Sequence, residues 1–353
     1  MKNLLILGGG YGSMRIMQHL FSGKLPEDLH VTLIDREPYH CMKTEYYALA
    51  AGTISDKHVR VAFPEHPQLT IVNNEITGID LNNKQVLMGN ESLSYDKLVI
   101  GLGCEDKYHG ISGAKEHTLS IQSIRAVRET AQVLQCLPTN SVVSIVGGGL
   151  SGIEVASELR ESRKDVKIQL FDRGERILSP FPERLSHYVQ QWFTENGVDI
   201  VNCSNITKVE PGILYNKDEP VETDATVWTA GIQAHHLVRG LEIEKDRNGR
   251  AVVTDHHHLS NNPDVFVVGD CAASEHAPSA QLAEIQGDQI YEVLKAGWSG
   301  EELPNLSPIK LKGIMGSLGK KKGFALLMGT PVTGRVARLL KSGLLWVYRY
   351  HNG

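Results

Sequence analysis

Hydrophobic residues in this chain fall in short runs stopped by glycine, and two of these runs continue in the same way. Leu4-Leu5-Ile6-Leu7 has no polar alternation, which marks a strand buried on both faces. It leads into Gly8-Gly9-Gly10-Tyr11-Gly12-Ser13 and then into a stretch of helical periodicity. Val142-Val143-Ser144-Ile145-Val146 leads in the same way into Gly147-Gly148-Gly149-Leu150-Ser151-Gly152 and a helix. In each case a second apolar run, about 20 residues after the turn, ends in an acid: Val31-Thr32-Leu33-Ile34 before Asp35, and Ile168-Gln169-Leu170-Phe171 before Asp172. The pattern predicts two strand–turn–helix–strand units, and therefore an α/β fold with parallel sheets.

Other runs fill in the frame. A mostly helical stretch reaches Ala51, with a turn at Gly52-Thr53, and strand-like pieces cover Leu69–Val72, Glu75–Leu81 and Gln85–Met88. Tyr95–Gly103 reads as a buried strand whose end carries Gly101 and Gly103, where backbone must approach a ligand or another turn. Later elements are a helix over Glu183–Asn196, a strand over Asp224–Ala230 with Gly231 beyond it, the strand Val265–Val268 running into Gly269-Asp270, and a helix over Ser279–Leu294. The expected organisation is one domain from 1–104 and 232–302, a second inserted at 105–231, and an extension at 303–353.

The two glycine turns carry the chemistry. Glycines permit a tight turn and close approach of a pyrophosphate, helix N–H groups meet the phosphates, and the acid receives a ribose hydroxyl. One such turn is a weak signal. Two complete units imply two dinucleotides held together, as in hydride exchange between a flavin and a nicotinamide.

These blocks in this order resemble the two-dinucleotide-binding flavoproteins of glutathione-reductase-like fold, and among them the type II, single-subunit NADH dehydrogenases. The resemblance rests on Gly8–Ser13, Ile34–His40 with Ala51-Gly52-Thr53, Leu98–Gly103, Gly147–Leu159, Trp228–Gly231, Val265–Ala272 and Ala280–Gly287. It implies that Gly8, Gly10 and Ser13, with Tyr11 and Gly12 in the same turn, cradle the FAD pyrophosphate. Asp35 would hold the FAD adenosine ribose and Asp270, after Gly269, its ribityl or pyrophosphate end. Gln281 and Leu282 would lie by the isoalloxazine ring. Gly147, Gly149 and Gly152 would bind the NADH pyrophosphate and Asp172 its ribose, with Glu154, Ala230 and Gly231 near the nicotinamide. Glu154 and Gln281 would be the residues nearest the reaction. There are three departures: Ser13 replaces the third glycine, Ile285 replaces the first of two glutamines that flank the quinone, and the chain stops soon after Tyr350. The last implies membrane attachment that is weaker than in the family, or absent.

Quinone is the acceptor that the resemblance implies. A soluble acceptor or oxygen, or a flavin- or NADH-binding sensor or partner protein with little turnover, stays open at this point. Glu154, on the first helical turn, also reads as a complement to the helix dipole.

Charge changes the picture at one place. The net charge is −5, but residues 303–353 contain no acid and nine basic residues, while the preceding residues hold 27 basic and 41 acidic ones, a net of −14. Arg335, Arg338 and Lys341 are spaced to share a helix face among Leu339, Leu340, Leu344, Leu345, Trp346 and Val347. That segment reads as an interfacial helix on an anionic leaflet or as a docking element for this chain or a second copy. The expected location is cytoplasmic, either free or at the inner face of the cell membrane. No nucleic-acid module is present, and the rest of the molecule is acidic.

Cysteine and histidine add little. The five cysteines form no close pair, which argues against a zinc site, a disulfide framework or a redox dithiol. Cys41 and Cys104 lie near the expected flavin and read as ordinary thiols. His235-His236 and His256-His257-His258 have no carboxylate at ligand spacing, so no metal is expected.

Overall fold

The computed structural model describes residues 2–23 and 25–352. It divides into two compact units, each assembled from three segments. The first comprises Met1–Cys41, Val61–Glu105 and Gln233–Leu311; the second comprises Met42–Arg60, Asp106–Ile232 and Lys312–Gly353. Residues 42–60 and the basic segment after Leu311 therefore belong with the second nucleotide unit.

The first unit is built on a six-stranded sheet in the order His258–Leu259, Asn262–Val267, Lys97–Ile100, Lys2–Leu7, Leu29–Asp35, Leu69–Asn73. All neighbours are parallel except the first pair. Leu4, Ile6, Leu7, Val31, Leu33, Ile34, Leu98, Val99 and Ile100 are fully or almost fully buried. That is why these strands read as unbroken apolar runs. Lys2–Leu7 lies between Leu29–Asp35 on one side and Lys97–Ile100 on the other, both later in the chain, which makes its carboxyl end a topological switch point, where open α/β sheets bind ligands. Helix Tyr11–Ser22 starts there. The Ala280–Ser299 helix is capped by Ser279, whose Oγ accepts from Leu282 N at 3.1 Å.

The second unit repeats the device with a parallel four-stranded sheet, Val198–Val201, Lys167–Phe171, Val142–Val146, Ala225–Trp228. The switch point is now the end of Val142–Val146, where helix Leu150–Ser162 begins. Trp228 is fully buried, and its Nε1 donates to Lys107 O at 3.0 Å. The expectation of an α/β fold of two such units holds.

The extension contains more structure than its sequence suggested. Gly313–Leu318, Lys322–Leu327 and Thr330–Thr333 form an antiparallel three-stranded sheet, followed by helix Gly334–Asn352. Its two connections turn at Gly319 and Gly329, both at positive φ (62° and 81°), a conformation that glycine adopts without steric cost.

Candidate functional site

Both glycine turns present the same geometry. In the first, Asp35 accepts Gly9 N–H at 2.6 Å on one oxygen and Glu37 N–H at 2.7 Å on the other. In the second, Asp172 accepts Gly148 N–H and Gly174 N–H, each at 2.8 Å. The strand-end acid thus clamps the middle glycine of its turn. A carboxylate has about four acceptor positions, so each acid keeps capacity for a ribose hydroxyl. Burial raises the Asp35 carboxyl above its usual range against the lowering effect of those two amides.

Glycine is required here by space and by φ. Gly8 has φ +86°, and a Cβ on it would lie 2.6 Å from the carbonyl oxygen of Gly101. Gly147 has φ +117°, and a Cβ there would lie 2.7 Å from the backbone of Thr229. Gly10 and Gly149 start the two helices with no side-chain cap. A Cβ on Gly149 would meet nothing within 4 Å, and one on Gly10 only Gly101 O at 3.7 Å. Uncapped first-turn N–H groups facing open space are a cradle for a pyrophosphate. The residues present therefore fit a dinucleotide in each unit. Ser13 is fully buried, and its Oγ lies where a Cβ of Gly101 would come within 2.6 Å. The missing third glycine is thus accommodated by a glycine on the neighbouring strand.

At the end of Asn262–Val267, the single turn Gly269–Cys271 carries Asp270. Gly269, at φ +75°, donates its N–H to Gln286 Oε1 at 2.8 Å, and Cys104 Sγ donates to Asp270 at 3.1 Å. Gln286 is buried and fixes this turn, a role that its motif position gave no means of assigning. Leu282 is buried on the same helix, while Gln281 and Ile285 are half-buried. Gly103, at φ +73°, accepts from His235 N–H at 3.2 Å. His40, on the short strand His40–Cys41, is buried against the first turn, contacts Gly9 O through Nδ1 at 2.7 Å and packs edge-on to Tyr11. Burial lowers its ring to about 4, so it is neutral at pH 7.

In the second unit, Gly231 has φ +131° and accepts from Lys107 N–H at 3.0 Å, while Ala230 O contacts His109 Nε2 at 2.9 Å. Glu154, on the Leu150–Ser162 helix, is buried. Its Oε1 accepts Ser317 N–H at 2.8 Å and forms an ion pair with Lys341 from the last helix. Lys341 also donates to the Tyr47 hydroxyl at 2.7 Å, and that hydroxyl donates to Glu45 at 3.0 Å. Burial is the main cause raising the Glu154 carboxyl, and it raises the Tyr47 hydroxyl well above its usual range. Lys341, expected on a surface face with Arg335 and Arg338, is instead buried and paired. No sequence signal linked position 341 to position 154.

One further cluster is visible only in three dimensions. Glu105, His235 and His236 bring their ligand-type atoms within 4.8 Å of one another, although adjacent histidines on an extended segment would diverge. Arg239 donates to the same carboxylate at 3.0 Å, and burial lowers the His235 ring to about 4, so that ring is neutral at pH 7.

The profile of the pyridine nucleotide-disulphide oxidoreductases matches residues 2–287. The chain belongs to that family. Membership makes it an FAD-dependent oxidoreductase that works with a pyridine nucleotide. Within the family it is 60% identical to the NADH dehydrogenase-like protein YutJ of Bacillus subtilis, over the full length of both chains. It is 25% identical to the type II NADH:quinone oxidoreductase of Staphylococcus haemolyticus, covering 96% of this chain and 93% of that protein. Its fold is similar to that of NDH2 from Plasmodium falciparum in complex with NADH. There the TM-score is 0.85 and the identity 17%, with 99% of this chain and 96% of that one covered.

Proposed function

We propose that the chain takes a hydride from NADH and passes electrons through FAD to a quinone at a membrane surface. The paired acid–glycine clamps support the two-dinucleotide part. Bound FAD supplies the chemistry of accepting a hydride and passing two electrons onward. The protein's residues bind and orient. Gly8, Gly10, Tyr11, Gly12, Ser13, Asp35, Gly101, Gly103, Gly269, Asp270, Gln281 and Leu282 would hold FAD. Gly147, Gly149, Gly152, Asp172, Ala230 and Gly231 would hold NADH. Glu154 would act from beneath the nicotinamide site, through its pairing with Lys341 and Ser317, rather than as an exposed acid.

Asp172 sets the nucleotide preference. Held by two amides, it accepts a ribose 2′-hydroxyl and repels a 2′-phosphate. The kcat/KM for NADH should exceed that for NADPH, although the neighbouring Arg173 reduces the margin. A ratio favouring NADPH rejects the assignment.

The single observation that carries the membrane part is the outer face of helix Gly334–Asn352. Val336, Leu339, Leu340, Leu344, Trp346, Val347 and Tyr350 are all exposed, Leu339 by 71% and Trp346 by 64%. At 100° per residue they fall, with Gly343, in an arc of about 160°. Ala337 and Lys341 are buried on the protein-facing side. No helix of the described residues is long and apolar enough to cross a membrane. An apolar arc flanked by basic residues suits peripheral contact with an anionic surface, where each basic residue adds ~1 kcal/mol and salt screens the attraction. Removing the helix after Thr333 would also remove Lys341, so the test uses Leu344→Ser with Val347→Ser. Wild type should float with anionic vesicles at low salt and less at high salt, and the variant should not float. Equal flotation of both would assign the contact elsewhere.

Ile285 bears on the acceptor. A missing polar contact to a quinone carbonyl costs ~1 kcal/mol or more. Ile285→Gln should raise kcat/KM with menaquinone and ubiquinone analogues and leave anaerobic flavin reduction by NADH nearly unchanged. If the quinone rate does not rise, and oxygen or a soluble dye is the better acceptor for both proteins, the quinone reading gives way to a diaphorase or oxidase.

A further inference from the structure

Where the last helix returns to the second unit, four basic side chains line one pocket. Lys57, His58, Arg60 and Arg349 surround a space of about 220 Å³. Asp56 is ion-paired with Arg60 and with Arg128, at 3.0 Å for the latter. Lys57, Arg60, Arg128 and Arg349 against Asp56 leave a local charge of +3. Lys57, His58 and Arg60 are exposed and Arg349 is half-buried, so this excess positive charge faces solvent, where it attracts anions.

The donors are also set in place. Arg349 uses one terminal nitrogen on His58 O at 2.5 Å, while its buried Nε has no hydrogen-bond partner. His58 Nδ1 lies 2.8 Å from Ser55 Oγ, an arrangement that directs Nε2 away from Ser55. Guanidinium and ammonium groups converging on one space match the oxygens of a phosphate. Within three residues of Arg349 are Trp346 and Tyr350, stacked at 5.4 Å between ring centroids and exposed. Aromatic rings of this kind favour the headgroup level of a bilayer.

We infer that Lys57, His58, Arg60 and Arg349 form a binding site for the phosphate of an anionic phospholipid, next to the apolar arc that meets the bilayer. This inference rests on the membrane reading above and adds a headgroup preference to it. Inorganic phosphate shares the chemistry. The lipid is favoured because the pocket borders exposed aromatic and apolar side chains, which soluble phosphate would leave in water.

The test uses the full-length, FAD-loaded protein and two sets of phosphatidylcholine vesicles. One set is made anionic with phosphatidic acid, the other with oleate, at matched surface potential. Wild type should bind the phosphatidic acid vesicles about tenfold more tightly than the oleate vesicles, a difference of about 1.4 kcal/mol. Lys57→Gln with Arg349→Gln should bring that ratio to about one, because generic charge attraction falls equally for both sets. Leu344→Ser with Val347→Ser should weaken both bindings and keep the ratio. A wild-type ratio near one, or a ratio unchanged in the double glutamine variant, overturns the site while leaving the membrane reading standing. No binding to either set overturns both. Calorimetry with inorganic phosphate is the remaining arm. Saturable binding that Arg349→Gln removes and vesicles do not displace would assign the pocket to soluble phosphate and overturn the lipid.

Discussion

Lys341→Met should destabilise the protein by up to about 3 kcal/mol at pH 7, and by far less at pH 4.5. Glu154 and Lys341 are both under a tenth exposed, and removing one partner of a buried pair leaves an uncompensated charge, typically costing ~3–5 kcal/mol. The carboxyl has an escape, which is to take up a proton. Neutralising a group of ordinary value 4.5 at pH 7 costs about 3.4 kcal/mol, at 1.36 kcal/mol for each pH unit, and this caps the loss. Burial without the lysine raises the folded-state value, so the folded variant keeps a proton that the unfolded chain releases above about 4.5. The carboxyl is already raised in wild type, so the variant loses stability relative to wild type only as pH rises from the wild-type folded value towards its own higher one. Below that window only a small deficit that does not change with pH remains, from the lost Lys341 contact to the Tyr47 hydroxyl. Lys341→Met with Glu154→Gln removes the titration, keeps an acceptor for Ser317 N–H, and should give a smaller deficit that does not change with pH. Urea unfolding of wild type and both variants between pH 4.5 and 8 checks this. A deficit independent of pH in Lys341→Met would refute the uncompensated-charge explanation.

Asp270→Ala should yield protein that loses FAD on desalting. Gly269 φ, the Gln286 contact to Gly269 N–H and the Cys104 contact to the carboxylate hold Asp270 in one orientation at the end of a buried strand. A charge-assisted hydrogen bond from such a preorganised carboxylate contributes ~1.5–3 kcal/mol, so FAD should bind about 10- to 150-fold more weakly. The ratio of flavin absorbance to protein, together with a titration of the apo-protein, measures it. Retention of stoichiometric FAD with unchanged affinity would remove Asp270 from the flavin site.

The parts that the sequence revealed were those with local causes. A strand buried on both faces must be apolar throughout, so Leu4–Leu7 and Val142–Val146 were legible as strands. A turn that passes from a strand into a helix at positive φ needs glycine, so the two turns were legible as well. An acid follows each second strand because the strand's end brings it to the turn. These constraints act over about 30 residues and leave a readable spacing. The carboxylate's use as a clamp on the middle glycine of the turn is part of the same local geometry.

Other features depended on residues far apart in the chain. Lys341 reads from sequence as one of three basic residues on a helical face. It becomes a buried partner because Ala337 and Lys341 pack inward and Glu154, 187 positions earlier, is waiting there. Ionic attraction across that separation has no period and no spacing, so nothing local announces it. The sheet over residues 313–333 was also missed, since its strands are short, glycine-rich and only partly apolar. Its pairing register and the burial of Phe324 and Ala325 decide it. The basic pocket is of the same kind, joining residues 57–60 to residue 349.

By itself, then, the sequence determined the two parallel-sheet units, their glycine turns and the acids at their strand ends, because steric and hydrogen-bonding needs there are met within each unit's own short stretch of chain. Only the tertiary structure decided which charges are buried together, which face of the last helix stays apolar and exposed, and which basic side chains converge. Burial and electrostatics are properties of what surrounds a residue, and those surroundings are supplied by segments that sequence spacing does not relate.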